Sequence, residues 1–432
     1  MRRGAHGEGG ARLAGPPRLS TPIWKTAWKS SPNLLSGPCL SDAQYCNSDY
    51  PALTLPASII VRSTRPLALV GAALFLAACS RQRGPIQIGL AGPLSDPRGV
   101  AMQHGAQLAV DEINAKGGVR GRLLQLRPLD DSASDDRATR VAQLLYDDPA
   151  VIAVIGHLTS GTSIAAGEVY GNGAHPLTMI TPGTSSPDLT SLNPYAFTVF
   201  PSDSVHGAAM ARFAWQTLVA RRAGVLFAAS DYGRGLRKAF VADFTKTGGV
   251  IVEADPYLPT TASLEPYLSR MRGAGIDVLV LAADEAAGEA ALRQLDARGA
   301  RWPVLGGEEL AGIEGLGAPA VGVRIATAYL SDRPGERNAA FVTDFGRAYA
   351  GARPDYRSAG AYDVVYLLAQ AIATVGPRRT AIRDYLARVG GDIPPFEGVT
   401  GRIGFDETRN VTSRGVVIGL VRDGHLVAEA TQ

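Results

Sequence analysis

Val151-Ile152-Ala153-Val154-Ile155-Gly156-His157-Leu158-Thr159-Ser160-Gly161-Thr162-Ser163 is an apolar run that empties into a small polar turn, and the chain repeats the design at once. An alanine-rich helical stretch over 164–170 leads to a second apolar run, Leu177-Thr178-Met179-Ile180, and a second turn, Thr181-Pro182-Gly183-Thr184-Ser185-Ser186. Short apolar runs bounded by turns and separated by helical patterns predict successive βα units of a parallel sheet. In such sheets, ligands bind beyond the carboxyl ends of the strands, where free N–H groups at helix N-termini attract anions. Two hydroxyl-rich loops in tandem therefore mark a candidate site for a carboxylate, although any one of these Ser and Thr residues also serves as an ordinary helix cap.

The same alternation extends in both directions. Upstream, strands at 86–90 and 123–129 and helices near 100–114 and 135–146 lead into Val151. After Phe200-Pro201-Ser202-Asp203 the scheme restarts with strands at 224–229, 250–254, 277–282 and 303–306, separated by helical patterns. The predicted fold class is α/β, with two doubly wound parallel-sheet lobes.

Composition bounds the function. With 46% hydrophobic and 19% charged residues in 432, the chain is long enough for two proper cores, and a net charge of +3 gives no basic footprint for nucleic acid. Cys39, Cys46 and Cys79 are the only cysteines, and no spacing suggests a metal or a cofactor. Arg62 and Arg65 precede an apolar run that ends in Leu76-Ala77-Ala78-Cys79, which reads as an export signal over 61–78 and resembles the bacterial lipobox. Cys79 is then the lipidated first residue of the exported mature chain, anchoring it to a membrane of the cell envelope and facing the periplasm or the exterior. The Pro-, Ser-, Gly- and Arg-rich residues 1–60 read as a non-native or disordered extension.

A more specific resemblance rests on several motifs in order. They are Leu90-Ala91-Gly92-Pro93-Leu94, Asp111-Glu112-Ile113-Asn114-Ala115-Lys116-Gly117-Gly118-Val119-Arg120-Gly121, Ile155-Gly156-His157-Leu158-Thr159-Ser160 and the loop Thr181 to Thr190. Asp231-Tyr232-Gly233-Arg234-Gly235, Ala361-Tyr362-Asp363 and the run Phe396 to Asp406 continue the series. Together they resemble the leucine/isoleucine/valine-binding proteins of ABC transporters, which are type I periplasmic solute-binding proteins. The resemblance implies two lobes joined by a three-segment hinge: 79–201 with 331–398, and 202–330 with 399–432. It implies an amino acid held between the closing lobes and an ABC permease as partner, with no catalysis.

Carried over position by position, the resemblance makes Ser160 a contact of the α-carboxylate. It makes Gly183, Thr184 and Ser185 the second binding loop, Tyr232 the second-lobe aromatic and Glu308 the acid for the α-ammonium. Taken without the resemblance, Glu308 reads as a solvated loop charge. Asp284-Glu285 and Arg98 stand where the branched-chain binders carry aromatic residues, so the expected ligand is polar or charged rather than aliphatic. A regulatory or sensor lipoprotein of the same fold, acting on a cell-wall enzyme or receptor, is the competing expectation. A hydrolase using His157 and Ser160 is a third. The Asp344-Phe345-Gly346 triplet and Gly171-Asn172-Gly173 lack the companions that phosphate-binding motifs require.

Overall fold

The computed structural model describes residues 84–429 apart from 259, 298, 300, 301, 413 and 414; the expected extension, export signal and Cys79 lie outside them. The first lobe opens with β1 (Ile86–Gly92), α1 (Pro97–Ala115), β2 (Leu124–Asp130), α2 (Asp135–Tyr146) and β3 (Val151–Gly156). It continues with α3 (Ser160–Gly171), β4 (Thr178–Thr181), α4 (Asp188–Leu192) and β5 (Ala196–Thr198). These strands form one parallel sheet in the order β2-β1-β3-β4-β5.

Every residue of β3 and β4 is buried, as expected of strands covered on both faces. Successive residues face opposite cores: Ile155, Ile180 and Phe197 join one cluster, and their neighbours Val154, Met179 and Ala196 join the other.

The chain then builds the second lobe: α5 (Asp203–Gln216), β6 (Arg222–Ala228), α6 (Asp231–Lys246), β7 (Val250–Tyr257), α7 (Glu265–Ala274), β8 (Val278–Ala282), α8 (Glu285–Ala297), β9 (Val304–Gly306) and β10 (Arg324–Thr327). It returns to the first lobe through α9 (Glu336–Ala348), α10 (Tyr356–Val375), α11 (Arg379–Leu386) and the hairpin of β11 (Phe396–Gly398) and β12 (Gly401–Ile403). Finally β13 (Val417–Arg422) and β14 (His425–Ala428) rejoin the second sheet, whose order is β14-β13-β10-β9-β8-β6-β7. Strands β6 to β10 are parallel, and β13 and β14 extend the sheet antiparallel.

Two crossings between lobes share one local device. The Thr198 hydroxyl accepts the Phe200 N–H at 3.1 Å just after β5, and the Thr327 hydroxyl accepts the Tyr329 N–H at 3.4 Å just after β10. The third crossing falls later than the sequence predicts. Residues 399–411, expected in the second lobe, pack with the first: Asp363 of α10 accepts from the N–H of Val399 at 2.8 Å and of Thr400 at 2.9 Å. Ile403, Phe405 and Val411 lie in the first-lobe core, with the Phe405 ring 5.0 Å from that of Phe197. The chain therefore crosses between Val411 and Val417. The Phe396 to Asp406 motif marks a hairpin clamped to α10 rather than a hinge strand.

Helix α10 is long and apolar enough to cross a membrane, yet it is mostly buried and packs along α1. The approach is close at Gly105, where an added Cβ would sit 2.0 Å from the Ser358 carbonyl oxygen. Gly105→Ala is therefore expected to lower the unfolding free energy by more than about 2 kcal/mol in urea titrations. Gly273→Ala in α7, where a new Cβ meets nothing within 4 Å, is expected to raise it by about 0.5–1 kcal/mol. An unchanged Gly105→Ala protein would contradict the backbone-to-backbone packing of α1 on α10.

Candidate functional site

The strand ends of both lobes face one another, and capping side chains set each strand-to-helix turn. Asp96 accepts the Arg98 N–H at 2.8 Å at the start of α1, Thr159 caps α3 and Ser230 caps α6. Asp355 forms a reciprocal capping box with Ser358 at the start of α10.

In the first lobe, Ser160 is buried on the first turn of α3, where helix N–H groups have no intrahelical partner. Thr184 does not present its hydroxyl outward: its Oγ1 lies 2.6 Å from Ser163 Oγ and 3.0 Å from Thr181 Oγ1, so it ties the two loops together. Gly183 permits that contact, since a Cβ there would stand 2.7 Å from Leu158 Cδ1. Ser185 is different. Its Oγ is buried without a hydrogen-bond partner, while its carbonyl accepts the N–H of Asp203 at 2.9 Å.

From the second lobe come Asp203 and His206 on α5, Tyr232 on α6, and Glu308 and Glu309 in the turn after β9. Tyr232 packs over Gly307, where a Cβ would meet its hydroxyl at 2.2 Å, and that hydroxyl is buried without a partner. Glu308 is 1% exposed; its Oε2 stands 3.1 Å from His206 Nε2 and its Oε1 has no hydrogen-bond partner. Burial, reinforced by Glu309 and Asp203, pushes the Glu308 carboxyl well above its usual range. Burial also pushes Asp203 up to about 7; the Ser185 hydroxyl lies close enough to pull the other way but is not aligned for a hydrogen bond to it. Glu309 is raised by burial too, against the pull of Arg357 and Arg98.

Arg98 and Asp284, both expected in the site, have local partners. Arg98 Nε and Nη2 bind the Asp96 carboxylate at 3.0 Å each, while Nη1 reaches across to Glu309 Oε2 at 3.5 Å. Arg98 thus bridges the lobes. Asp284 caps α8, accepting the Ala287 N–H at 2.9 Å, so its carboxylate is partly committed to the helix. Glu285 lies against Gly312, where an added Cβ would meet its carboxylate at 2.5 Å.

Sequence reasoning missed Asp203, His206, Glu309 and Arg357. Arg357 is 2% exposed on the first turn of α10, with its Nη1 donating to Asp355 Oδ2 at 2.9 Å and its Nε and Nη2 buried without partners. One signal pointed to it: Arg357 and Asp363 are the only charged residues in the twenty of α10.

His157 is not placed for catalysis. It is fully buried, its Nδ1 2.6 Å from Asp131 Oδ2 and its Nε2 3.2 Å from the Tyr170 hydroxyl. With both ring nitrogens engaged, it has no atom left to take a proton from Ser160.

Comparison with known proteins identifies the fold and the family. A family model described as periplasmic binding protein matches residues 85–425. A Leu/Ile/Val-binding protein of Rhizobium johnstonii is 27% identical over 355 residues, covering 79% of this chain and 93% of its own length. The structure of an ABC transporter substrate-binding protein from Desulfitobacterium hafniense in complex with Leu is 30% identical with a TM-score of 0.70, covering 80% of this chain and all of that one. A leucine-binding protein of Thermotoga maritima gives 25% identity and a TM-score of 0.73 over 80% of this chain and 98% of its own.

The buried acid generates a pH test. Asp203 holds its proton more tightly in the folded chain, at about 7 against the ordinary 3.8, so it costs stability increasingly as pH rises from about 4 to about 7. Asp203→Asn is expected to be more stable than the wild type at pH 8 by on the order of 1–4 kcal/mol, with the gain fading toward pH 4. Chemical denaturation at the two pH values measures it; an equal gain at both would contradict the buried protonated carboxyl.

Proposed function

Because the chain belongs to the periplasmic binding protein family, a family of binding proteins rather than enzymes, we propose that it captures an amino acid or related small polar ligand between its lobes. It hands that ligand to the permease of an ABC transporter. A lipid on Cys79 holds it to the membrane, on the strength of the Leu-Ala-Ala-Cys sequence. The transport role is supported by its relatives, which are Leu/Ile/Val-binding, leucine-binding or ABC transporter substrate-binding proteins.

The observation that carries the reading is the convergence of buried polar atoms without protein partners: Ser185 Oγ from the first lobe, Tyr232 Oη and Glu308 Oε1 from the second. Each such atom costs about 1–3 kcal/mol when left unmade. An amino acid supplies the complement. Its α-carboxylate fits the serine hydroxyls and the N-terminus of α3, and its α-ammonium fits Glu308, drawing that carboxyl into its charged form. Three or four such bonds, at about 1.5–3 kcal/mol each, give micromolar affinity after association costs.

Arg98 and Glu309 close the lobes over the ligand, and the ligand raises the closed population by its preference for that state. The acids and arginines around this space make it a poor lining for an aliphatic side chain.

Titration calorimetry with the twenty amino acids tests the proposal. Binding of at least one polar or charged amino acid is expected, and a response to leucine alone would contradict the polar site. Glu308→Gln is expected to weaken binding roughly 10- to 100-fold, with smaller losses for Ser185→Ala and Tyr232→Phe. Unchanged affinity in Glu308→Gln would remove the ammonium role.

A further inference from the structure

Among the described residues, Arg357 is a strongly basic group at the junction of the lobes whose best bonding edge is unused. Its side chain is held from several directions. Asp355, which takes Nη1, is itself fixed by the N–H groups of Arg357 at 3.1 Å and Ser358 at 2.9 Å and by the Ser358 hydroxyl at 3.0 Å. The guanidinium carbon lies 4.4 Å from the centre of the Tyr356 ring, which is itself buried. What these contacts leave is the Nε–Nη2 edge, with both nitrogens buried and without partners.

That edge is the two-pronged donor that matches the two oxygens of a carboxylate. The guanidinium sits among groups from both lobes. Asp96 and Arg98 of α1, Glu285 of α8, and Glu308 and Glu309 after β9 all lie within electrostatic reach of Arg357. None of the carboxylates among the described residues bonds that edge; Glu309, across the cleft, is engaged by Arg98.

We propose that the Nε–Nη2 edge of Arg357 holds a carboxylate at the end of the ligand's side chain, so that the protein selects acidic amino acids of the aspartate and glutamate class. The inference rests on the amino-acid reading above. There the α-carboxylate is taken by the first-lobe loops and the α-ammonium by Glu308, which leaves Arg357 as a third anchor. An aliphatic side chain buries that cation edge unpaired, and a side-chain amide offers a single acceptor to two donors. Arg357 is thus the residue that distinguishes acidic ligands from neutral ones.

The test is titration calorimetry of the purified protein with L-glutamate, L-aspartate, L-glutamine and L-leucine, repeated on Arg357→Lys and Arg357→Met. Glutamate or aspartate is expected to bind roughly 10- to 100-fold tighter than glutamine or leucine. Both variants are expected to abolish that margin by weakening the binding of glutamate and aspartate. Arg357→Lys keeps the charge and loses the fork; with a melting temperature near that of the wild type it carries the test even where Arg357→Met does not fold. A neutral amino acid that binds tightest, or an acidic preference that survives Arg357→Lys, overturns this inference and leaves amino-acid capture standing. Failure of every amino acid to bind overturns both.

Discussion

A carboxylate taken out of water demands compensation, and Glu308 has only half of it. One oxygen faces His206 at 3.1 Å and the other meets no protein donor, at 1% exposure. An isolated buried charge is among the most costly features a folded chain can keep, so it stays neutral or awaits a cation. The rest of the site follows from this constraint. Tyr232 is seated beside Glu308 by the missing side chain of Gly307, Asp203 shares its tendency to hold a proton, and Arg98 secures the neighbouring Glu309 from the opposite lobe. On the proposed reading, a small zwitterion entering the cleft relieves several of these costs together, which ties binding to closure of the lobes.

The scaffold meets this demand with ordinary devices. Strands buried on both faces end in loops that must satisfy their own N–H groups, and caps such as Asp96, Thr159, Ser230 and Asp355 do so one residue at a time. Thr184 and Asp284 belong to the same class. They stand where contact with a ligand is expected, but their oxygens brace a loop pair and a helix start. The buried polar groups that the caps hold in place without using are Ser185, Tyr232, Glu308 and the far edge of Arg357. Neighbouring residues in one loop thus divide into those that build it and those that project from it.

Much of the fold was legible in the residues. Runs such as Val151 to Ile155 and Val278 to Ala282 show buried parallel strands because apolar length and turn chemistry are local properties, and Ser185, Tyr232 and Glu308 were singled out from motifs in a known order. Arg357 and Asp203 were not legible, since a residue's surroundings depend on which distant elements pack against it; Arg357 meets its neighbours only when α10 lies on α1 and the second lobe approaches. The late third crossing had the same cause. Nothing local to Val399 says that Asp363, on another helix, will take its N–H. At Asp284 the ambiguity is of another kind: a capping acid and an acid free for a ligand look alike until the partner N–H is seen.

The central claim is that buried polar groups from both lobes are completed by one ligand. A crystal structure of the protein grown with an equimolar mixture of amino acids tests it most directly. The account predicts a single amino acid between the lobes, with its carboxylate at Ser185 and the N-terminus of α3 and its ammonium on Glu308. A cleft filled by water alone, or a ligand bound away from Ser185, Tyr232 and Glu308, would contradict it.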